Sequence, residues 1–485
     1  MKLKYILLIL AGIFTFSCVD FDDNSGFTDE DKLPEEPTEG NDVRMWVTTQ
    51  SGVFLMKEQP IDYSDDISSL TLSLDAGTTY QTIDGYGGTL TGSSAYLFMQ
   101  MSPERRTAVL KSLFDPKEGI GLESIRISIG ASDFSLALYT YCDEQGIENF
   151  EIPEYDKRDL IPVLKEILAI NPNVKLMASP WSPPAWMKTS GNLNFGSLIG
   201  AQVYDDYATY FVKYIKAMQA EGIQIDAITL QNEADFESGV HPSMKMSWEE
   251  QADIIANYLG PKFQSEGITS KILILDHNFD IYTYALNILA NPAANKYVSG
   301  TAFHGYNGKP DAIDNLVSQY PDKSIYQTEM SGGGWNTGEE MQTMFYYLND
   351  FLIPTMQKGS SNFMMFNIAL NSQHGPVTPG GTFCEDCRGI VTIDGNESKI
   401  ELEYYLLGHS SKISRSGAKM IKSTFIGNMP SGLTSTAFLN PDGSKGLVLV
   451  NGTGMNQNIT ITVKGDNRRL VYGIPPSSVA SFLIK

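Results

Sequence analysis

The chain has 485 residues, of which 42% are hydrophobic, 11% aromatic and 19% charged. That composition excludes intrinsic disorder and coiled coil for the bulk of the molecule, and the length asks for more than one folded unit. A formal net charge of −22 repels phosphate backbones, which argues against nucleic acid as a partner and leaves neutral polymers open.

In chain order, Lys2 and Lys4 precede an apolar run at 5–16 that is too short to span a bilayer, the pattern of a signal peptide over residues 1–18. Ser17-Cys18 closes that run and resembles a bacterial lipobox, in which Cys18 becomes the lipidated first residue. Residues 19–44 carry ten Asp or Glu against Lys32 and Arg44, cannot bury a core, and read as a tether. Acidic residues directly after the cysteine resemble the surface-export signal of Bacteroidetes-type lipoproteins. The expectation is a lipid anchor at the outer membrane, on the cell surface or the periplasmic face, with Cys18 as the one membrane contact.

Residues 45–80 read as short alternating strands. From 81 to 411 the pattern changes to apolar or β-branched runs at 82–87, 124–129, 174–178, 226–230, 271–275, 298–303, 324–327 and 362–366. Stretches with helical spacing alternate with them, at 103–113, 156–170, 204–220, 248–263, 281–289, 311–319, 338–356 and 399–408. Eight strand–helix units predict a (β/α)₈ barrel. An open doubly wound sheet is the rival, but no Gly-x-Gly-x-x-Gly turn follows the first strand. Residues 412–485 return to short strands with turn signals such as Pro441-Asp442-Gly443, so the two chain ends should pair into a β-sandwich beside the barrel. Cys384 and Cys387, in a Gly/Pro-rich loop, suit a local disulfide in an exported protein. No second Cys or His pair stands at metal-site spacing, and neither metal nor cofactor is expected.

Barrel chemistry sits at the C-terminal ends of strands. The fourth strand runs into Gln231-Asn232-Glu233 and the seventh into Gln327-Thr328-Glu329, which places two carboxylates across the barrel mouth. Glycoside hydrolysis needs such a pair, one carboxyl to protonate the leaving oxygen and one to attack the anomeric carbon or activate water.

The chain resembles glycoside hydrolase family 30, the glucosylceramidase-like retaining β-glycosidases. The resemblance rests on Ile83-Asp84-Gly85-Tyr86-Gly87-Gly88, Arg126-Ile127-Ser128, Ser132-Asp133-Phe134-Ser135 and Tyr139-Thr140-Tyr141. It continues through the block from Ala178-Ser179-Pro180-Trp181 to Lys188-Thr189, then Gln231-Asn232-Glu233, His304-Gly305-Tyr306 and Thr328-Glu329. Phe366-Asn367-Ile368-Ala369-Leu370-Asn371 and Leu407-Gly408-His409-Ser410-Ser411-Lys412 complete it. The resemblance implies Glu233 as acid/base, with a raised pKa, and Glu329 as an ionised nucleophile.

Around that pair, Arg126 is expected to hold the nucleophile charged, and Asn232 to bind the sugar 2-hydroxyl. Trp181 should offer a flat apolar face, and His304, Tyr306 and Trp335 should line the substrate. Trp186 reads as packing. Two departures stand out: Gly92, where relatives carry an acid that grips the terminal sugar, and Phe366, where they tend to have Trp. The expected activity is retaining hydrolysis of β-glucosidic linkages, in a β-glucan that can be β-1,6-linked. Action on another glycan such as a xylan or fucoside, transglycosylation, and a non-catalytic glycan-binding lipoprotein are the alternatives.

Overall fold

The computed structural model describes residues 42–335 and 340–485. The expected signal peptide, Cys18 and nearly all of the acidic tether lie outside the described residues.

The chain enters through β1 (Val43–Thr49), β2 (Lys57–Gln59) and β3 (Leu70–Thr82). In β3 the alternation Leu70-Thr71-Leu72-Ser73-Leu74 buries all three leucines, the two-residue period of a half-buried strand. Thr82 ends this strand instead of opening the barrel as the sequence suggested. The barrel begins at Gly85, whose φ of 136° suits only glycine and redirects the chain.

Eight parallel strands follow: β4 (Gly85–Leu90), β5 (Ser124–Ser128), β6 (Lys175–Ser179), β7 (Ala227–Thr229), β8 (Lys271–Asn278), β9 (Val298–His304) and β10 (Ser324–Glu329), then, after the two-residue β11 (Gly332–Gly333), β12 (Ser360–Met365). They close as a barrel in chain order, with β12 pairing both β10 and β4. The strands are buried almost throughout, as a barrel covered by helices requires. Close packing at the first strand depends on Gly87, where a Cβ would stand 1.7 Å from the Ser124 carbonyl oxygen.

The expected helices form where apolar residues recur on one stripe. Over Tyr204–Ala220 the buried set includes Tyr207, Phe211, Tyr214 and Met218, spaced by three or four. Pro103–Phe114 starts with Pro at its first position, behind Ser102, whose hydroxyl accepts from the Arg105 N–H. Two elements depart from the sequence reading. Gly92–Gln100 is an unexpected helix, capped by the Thr91 hydroxyl. Lys399 lies in β16 (Glu397–Ile400), which forms a hairpin with β15 (Val391–Asp394), so the last barrel helix starts later, at Leu402–Ser411. The two-residue turn Gly395-Asn396, with Gly395 at φ 61°, closes that hairpin between the paired Asp394 and Glu397. Two further short strands, β13 (Ala369–Leu370) and β14 (Cys387–Arg388), pair with β15 and β11 respectively.

The C-terminal strands are β17 (Lys419–Ile426), β18 (Leu433–Leu439), β19 (Lys445–Asn451), β20 (Gln457–Val463), β21 (Arg469–Ile474) and β22 (Ser478–Ile484). With β1–β3 they form nine strands in the order β2-β1-β22-β19-β18-β17-β3-β20-β21. This sheet folds over a shared core that includes Val47, Leu72, Leu449, Ile461 and Phe482, a β-sandwich beside the barrel. His409, in the last barrel helix, ties the two units. Its ring nitrogens meet the Thr48 and Ser481 hydroxyls at 2.7 Å each, and burial holds its pKa down at about 3. Among the described residues no helix is long and apolar enough to cross a membrane.

Candidate active site

The turn after β7 carries Glu233. The Tyr207 hydroxyl donates to the Leu230 carbonyl, the Asn232 N–H donates to the Pro180 carbonyl at 2.8 Å, and the Glu233 N–H donates to the Asp276 carbonyl at 2.9 Å. These bonds hold Glu233 at φ 48°, a left-handed conformation that residues with a Cβ avoid. Backbone strain of this kind persists only where its surroundings over-determine it, and it concentrates at functional sites. Glu329 ends β10 and is 4% exposed.

Arg126, in the middle of β5 and fully buried, links the two sides of the mouth. One terminal nitrogen donates to Glu329 Oε2 at 2.5 Å; the other donates to Asn232 Oδ1 at 2.6 Å and Asp276 Oδ2 at 2.7 Å. Asp276, on β8, collects further donors from Ser179 (2.9 Å), Thr229 (2.7 Å) and Thr328 (2.8 Å). With Arg126 and His304 beside it, its carboxyl stays far below the usual range despite full burial. Tyr306 donates its hydroxyl to the other Glu329 oxygen at 2.8 Å. The expected contact between Arg126 and the β10 carboxylate is therefore present. Asn232 uses its oxygen on Arg126, so the donor side of its amide is the one available to a sugar hydroxyl.

His304 stands between the carboxyls. Its Nε2–H donates to Asp276 Oδ1 at 3.1 Å and its Nδ1–H to Glu233 Oε1 at 3.0 Å, while Glu329 Oε1 lies 3.9 Å from the same Nδ1. Burial opposes the cation, but Glu329 and the bonds to Asp276 and Glu233 raise the imidazole pKa to about 9. Burial alone would lift the Glu233 carboxyl; the His304 hydrogen bond and charge outweigh it and hold Glu233 below its ordinary value. Burial raises Glu329, against the opposing pull of His304 and Arg126. This reverses the sequence expectation of a high acid and a low nucleophile. No sequence spacing shows a histidine from the sixth strand arriving at 3.0 Å from a carboxyl that follows the fourth.

The expected apolar face of Trp181 is not open. The ring is 2% exposed, the Arg126 guanidinium lies 4.6 Å over it, and Phe366 stacks on it at 6.0 Å. Trp181 thus seats the arginine by a cation–π contact. Phe366, the departure noted above, also packs edge-on against Phe134. Gly92 opens its helix beside Ser135 and Tyr139. On that side of the pocket a carboxylate is supplied by Asp133, 8% exposed, with Oδ2 bonded to the Thr382 hydroxyl at 3.0 Å and Oδ1 buried without a partner. Tyr306 and Trp335, both nearly half exposed, line a cavity of about 900 Å³ with Lys309, Tyr346 and Phe351, which Met330 and Ser331 border directly after Glu329. Trp186 donates its indole N–H to the Cys142 carbonyl and packs as expected.

Cys384 and Cys387 are disulfide-bonded. Glu233, His277 and His304 offer ligand atoms within 4.8 Å of one another, so they could hold a cation, although no finger-type spacing announces them. Asp276, Asp133 and His277 were not singled out from sequence. The strand-end rule points to Asp276, which follows Leu273-Ile274-Leu275. Asp133 sits inside a quoted motif, but nothing in that motif distinguishes its carboxyl.

Two carboxylates at the ends of the fourth and seventh strands of a (β/α)₈ barrel, facing one histidine, with the second of them held by a buried arginine, are the pair that defines a glycoside hydrolase. The chain belongs to glycosyl hydrolase family 30, whose TIM-barrel domain matches residues 83–412 and whose beta sandwich domain matches residues 417–482. It is 31% identical to endo-1,6-beta-D-glucanase neg1 of Aspergillus fumigatus, over 87% of this chain and 88% of that one. Lysosomal acid glucosylceramidase of Mus musculus is 28% identical, over 81% and 80% of the two chains. Among solved structures, the endo-beta1,6-glucanase BT3312 is 36% identical with a TM-score of 0.85, covering 91% of this chain and 99% of that one.

Proposed function

We propose that the protein hydrolyses internal linkages of a β-1,6-glucan with net retention, through a glycosyl-enzyme ester on Glu329. A Glu329 oxygen attacks the anomeric carbon while the bond to the leaving oxygen breaks. Glu233 takes a proton from His304 Nδ1 and delivers it to that oxygen, which leaves its own carboxylate ionised and able to act as a base. Water then gives its proton to Glu233, attacks the same carbon and frees Glu329. The carrying observation is the shared imidazole. Two carboxyl oxygens held at 3.0 and 3.9 Å from one nitrogen cannot stand more than about 7 Å apart, which reaches the retaining spacing (about 5–5.5 Å) and only the lower edge of the inverting one (about 6.5–9.5 Å). The β-1,6-glucanase relatives supply the linkage, and the acidic chain favours a neutral glycan over an anionic one.

The test is digestion of a panel of β-1,6-, β-1,3- and β-1,4-glucans and xylan, with NMR of the first-formed product. Oligosaccharides from the β-1,6-glucan bearing a new β reducing end are expected. Monosaccharide alone would overturn internal cleavage, and an α-configured first product would overturn the covalent route.

We also propose that Cys18 anchors the enzyme to the outer membrane through its lipid, with the acidic tether extending the catalytic unit outward. Cys18→Ser should move the protein from the membrane to the soluble fraction, because the acyl chains supply the whole membrane affinity. Continued sedimentation with membranes would contradict the anchor.

A further inference from the structure

The loop after the last barrel strand, residues 371–388, bridges the barrel mouth and carries an aromatic ring that the catalytic centre does not use. Phe383 is 66% exposed, yet the loop beneath it is fixed at several points. The Thr378 N–H donates to the Asp133 carbonyl at 2.9 Å, and the Thr382 hydroxyl donates to the Asp133 carboxylate at 3.0 Å. Gly380 lies so close to Val240 that a Cβ would meet its carbonyl oxygen at 2.4 Å. The disulfide closes the loop directly after Phe383, and Cys387 is buried against Phe134, Trp181 and Phe366.

On this base Phe383 meets His241 edge-on at 5.5 Å and Phe236 at 6.1 Å, while Phe236 and His241 lie nearly parallel at 6.2 Å. The Phe236 N–H donates to the Glu233 carbonyl at 2.8 Å, so the aromatic group is joined to the acid/base turn on one side and to Asp133 on the other. A large apolar ring held in water forgoes burial that a ligand covering it recovers. The C–H face of a pyranose is such a cover.

The placement gives the direction. Phe236 and His241 come from the loop after the fourth strand, Phe383 from that after the eighth, and Asp133 from that after the second. The Tyr306–Trp335 cavity is built by the loops after the sixth and seventh strands, and none of Asp133, Phe236, His241 or Phe383 lines it. Trp181, Phe366 and Phe134 pack beneath the pocket on the Asp133 side. We propose that Phe383, Phe236 and His241 form a subsite for a second sugar on the non-reducing side of the scissile bond, reached past Asp133. This rests on the internal-cleavage reading given above and deepens it, since an enzyme that removes one sugar at a time from the non-reducing end has no second glycone sugar to hold.

The experiment compares kcat/KM for nitrophenyl β-glucoside with nitrophenyl glycosides of β-1,6-, β-1,3- and β-1,4-linked glucose disaccharides, in wild type, Phe383→Ala and Phe383→Trp. The wild type should favour one disaccharide over the monosaccharide by tenfold or more. Phe383→Ala should lower that ratio at least tenfold through KM, and Phe383→Trp should restore it. A wild type indifferent to the second sugar, a ratio unchanged in Phe383→Ala, or equal losses on both substrates would overturn the subsite. The linkage preferred answers the separate question. A wild type that favours the β-1,3 or β-1,4 disaccharide, with the Phe383 effect intact, would sink the β-1,6 assignment and leave the subsite standing.

Discussion

Glu329→Gln should abolish turnover while leaving a folded protein. Loss of a covalent nucleophile costs on the order of 10⁵–10⁶ in rate, about 7–8 kcal/mol of transition-state stabilisation. The fold should tolerate the change for a specific reason. Arg126 would lose one of two buried counterions but keep Asp276 at 2.7 Å, and an amide oxygen can still accept from its nitrogen. Breaking a buried pair outright costs about 3–5 kcal/mol, and the remaining carboxylate should hold the loss below that. A 2-fluoro-glycoside should label Glu329 in the wild type, and thermal unfolding of the variant should remain cooperative. Label on any other residue, or turnover within tenfold of wild type, would remove Glu329 from the nucleophile role.

Glu233→Ala should divide substrates by leaving group. Those that need a proton should slow by about 10²–10⁴, whereas dinitrophenyl glycosides should form the intermediate almost normally. Azide should then rescue turnover by attacking the intermediate in the space vacated by the carboxyl. The pH profile should change as well. In the wild type the proton of the Glu233–His304 pair is lost as pH rises through about 9, so activity should fall there. On the acid side Glu329 must ionise, and its raised pKa puts that limb above the ordinary carboxylate value. Removing Glu233 should erase the alkaline limb for activated substrates and spare the acid one. Equal slowing of both substrate types would make Glu233 a structural residue.

Much of this arrangement is legible in the chain because barrel geometry turns strand ends into addresses. Glu233, Glu329, Arg126 and His304 all lie on or at the end of apolar runs, and the barrel brings them together. Asp276 is equally addressable and was passed over because its run, Leu273-Ile274-Leu275, ends in a residue whose five partners come from five different segments. The order of the carboxyl pKa values was misjudged for the same reason: it depends on a histidine shared between them. Trp181 was misjudged because an aromatic side chain in sequence cannot show which of its faces another side chain will take. Lys399 departs for a local reason, since the Gly395-Asn396 turn converts the start of a helical pattern into a hairpin. Phe383 carried no signal at all, because exposure of an aromatic ring is a property of the folded surface.

The interleaving of the nine-stranded sheet sets an order on how the molecule can be made. β3, from the first fifth of the chain, lies between β17 and β20, and β1 pairs along its whole length with β22. As the chain emerges from a ribosome, β3 has no partner until β17 arrives, and β1 has only the short β2 until β22 does. The barrel, whose neighbouring strands are mostly consecutive, can assemble while the sandwich waits. Completion of the sheet then brings Thr48 and Ser481, from opposite ends of the chain, onto the two nitrogens of His409. A chain missing β22 would leave β1 and β19 without the strand that joins them.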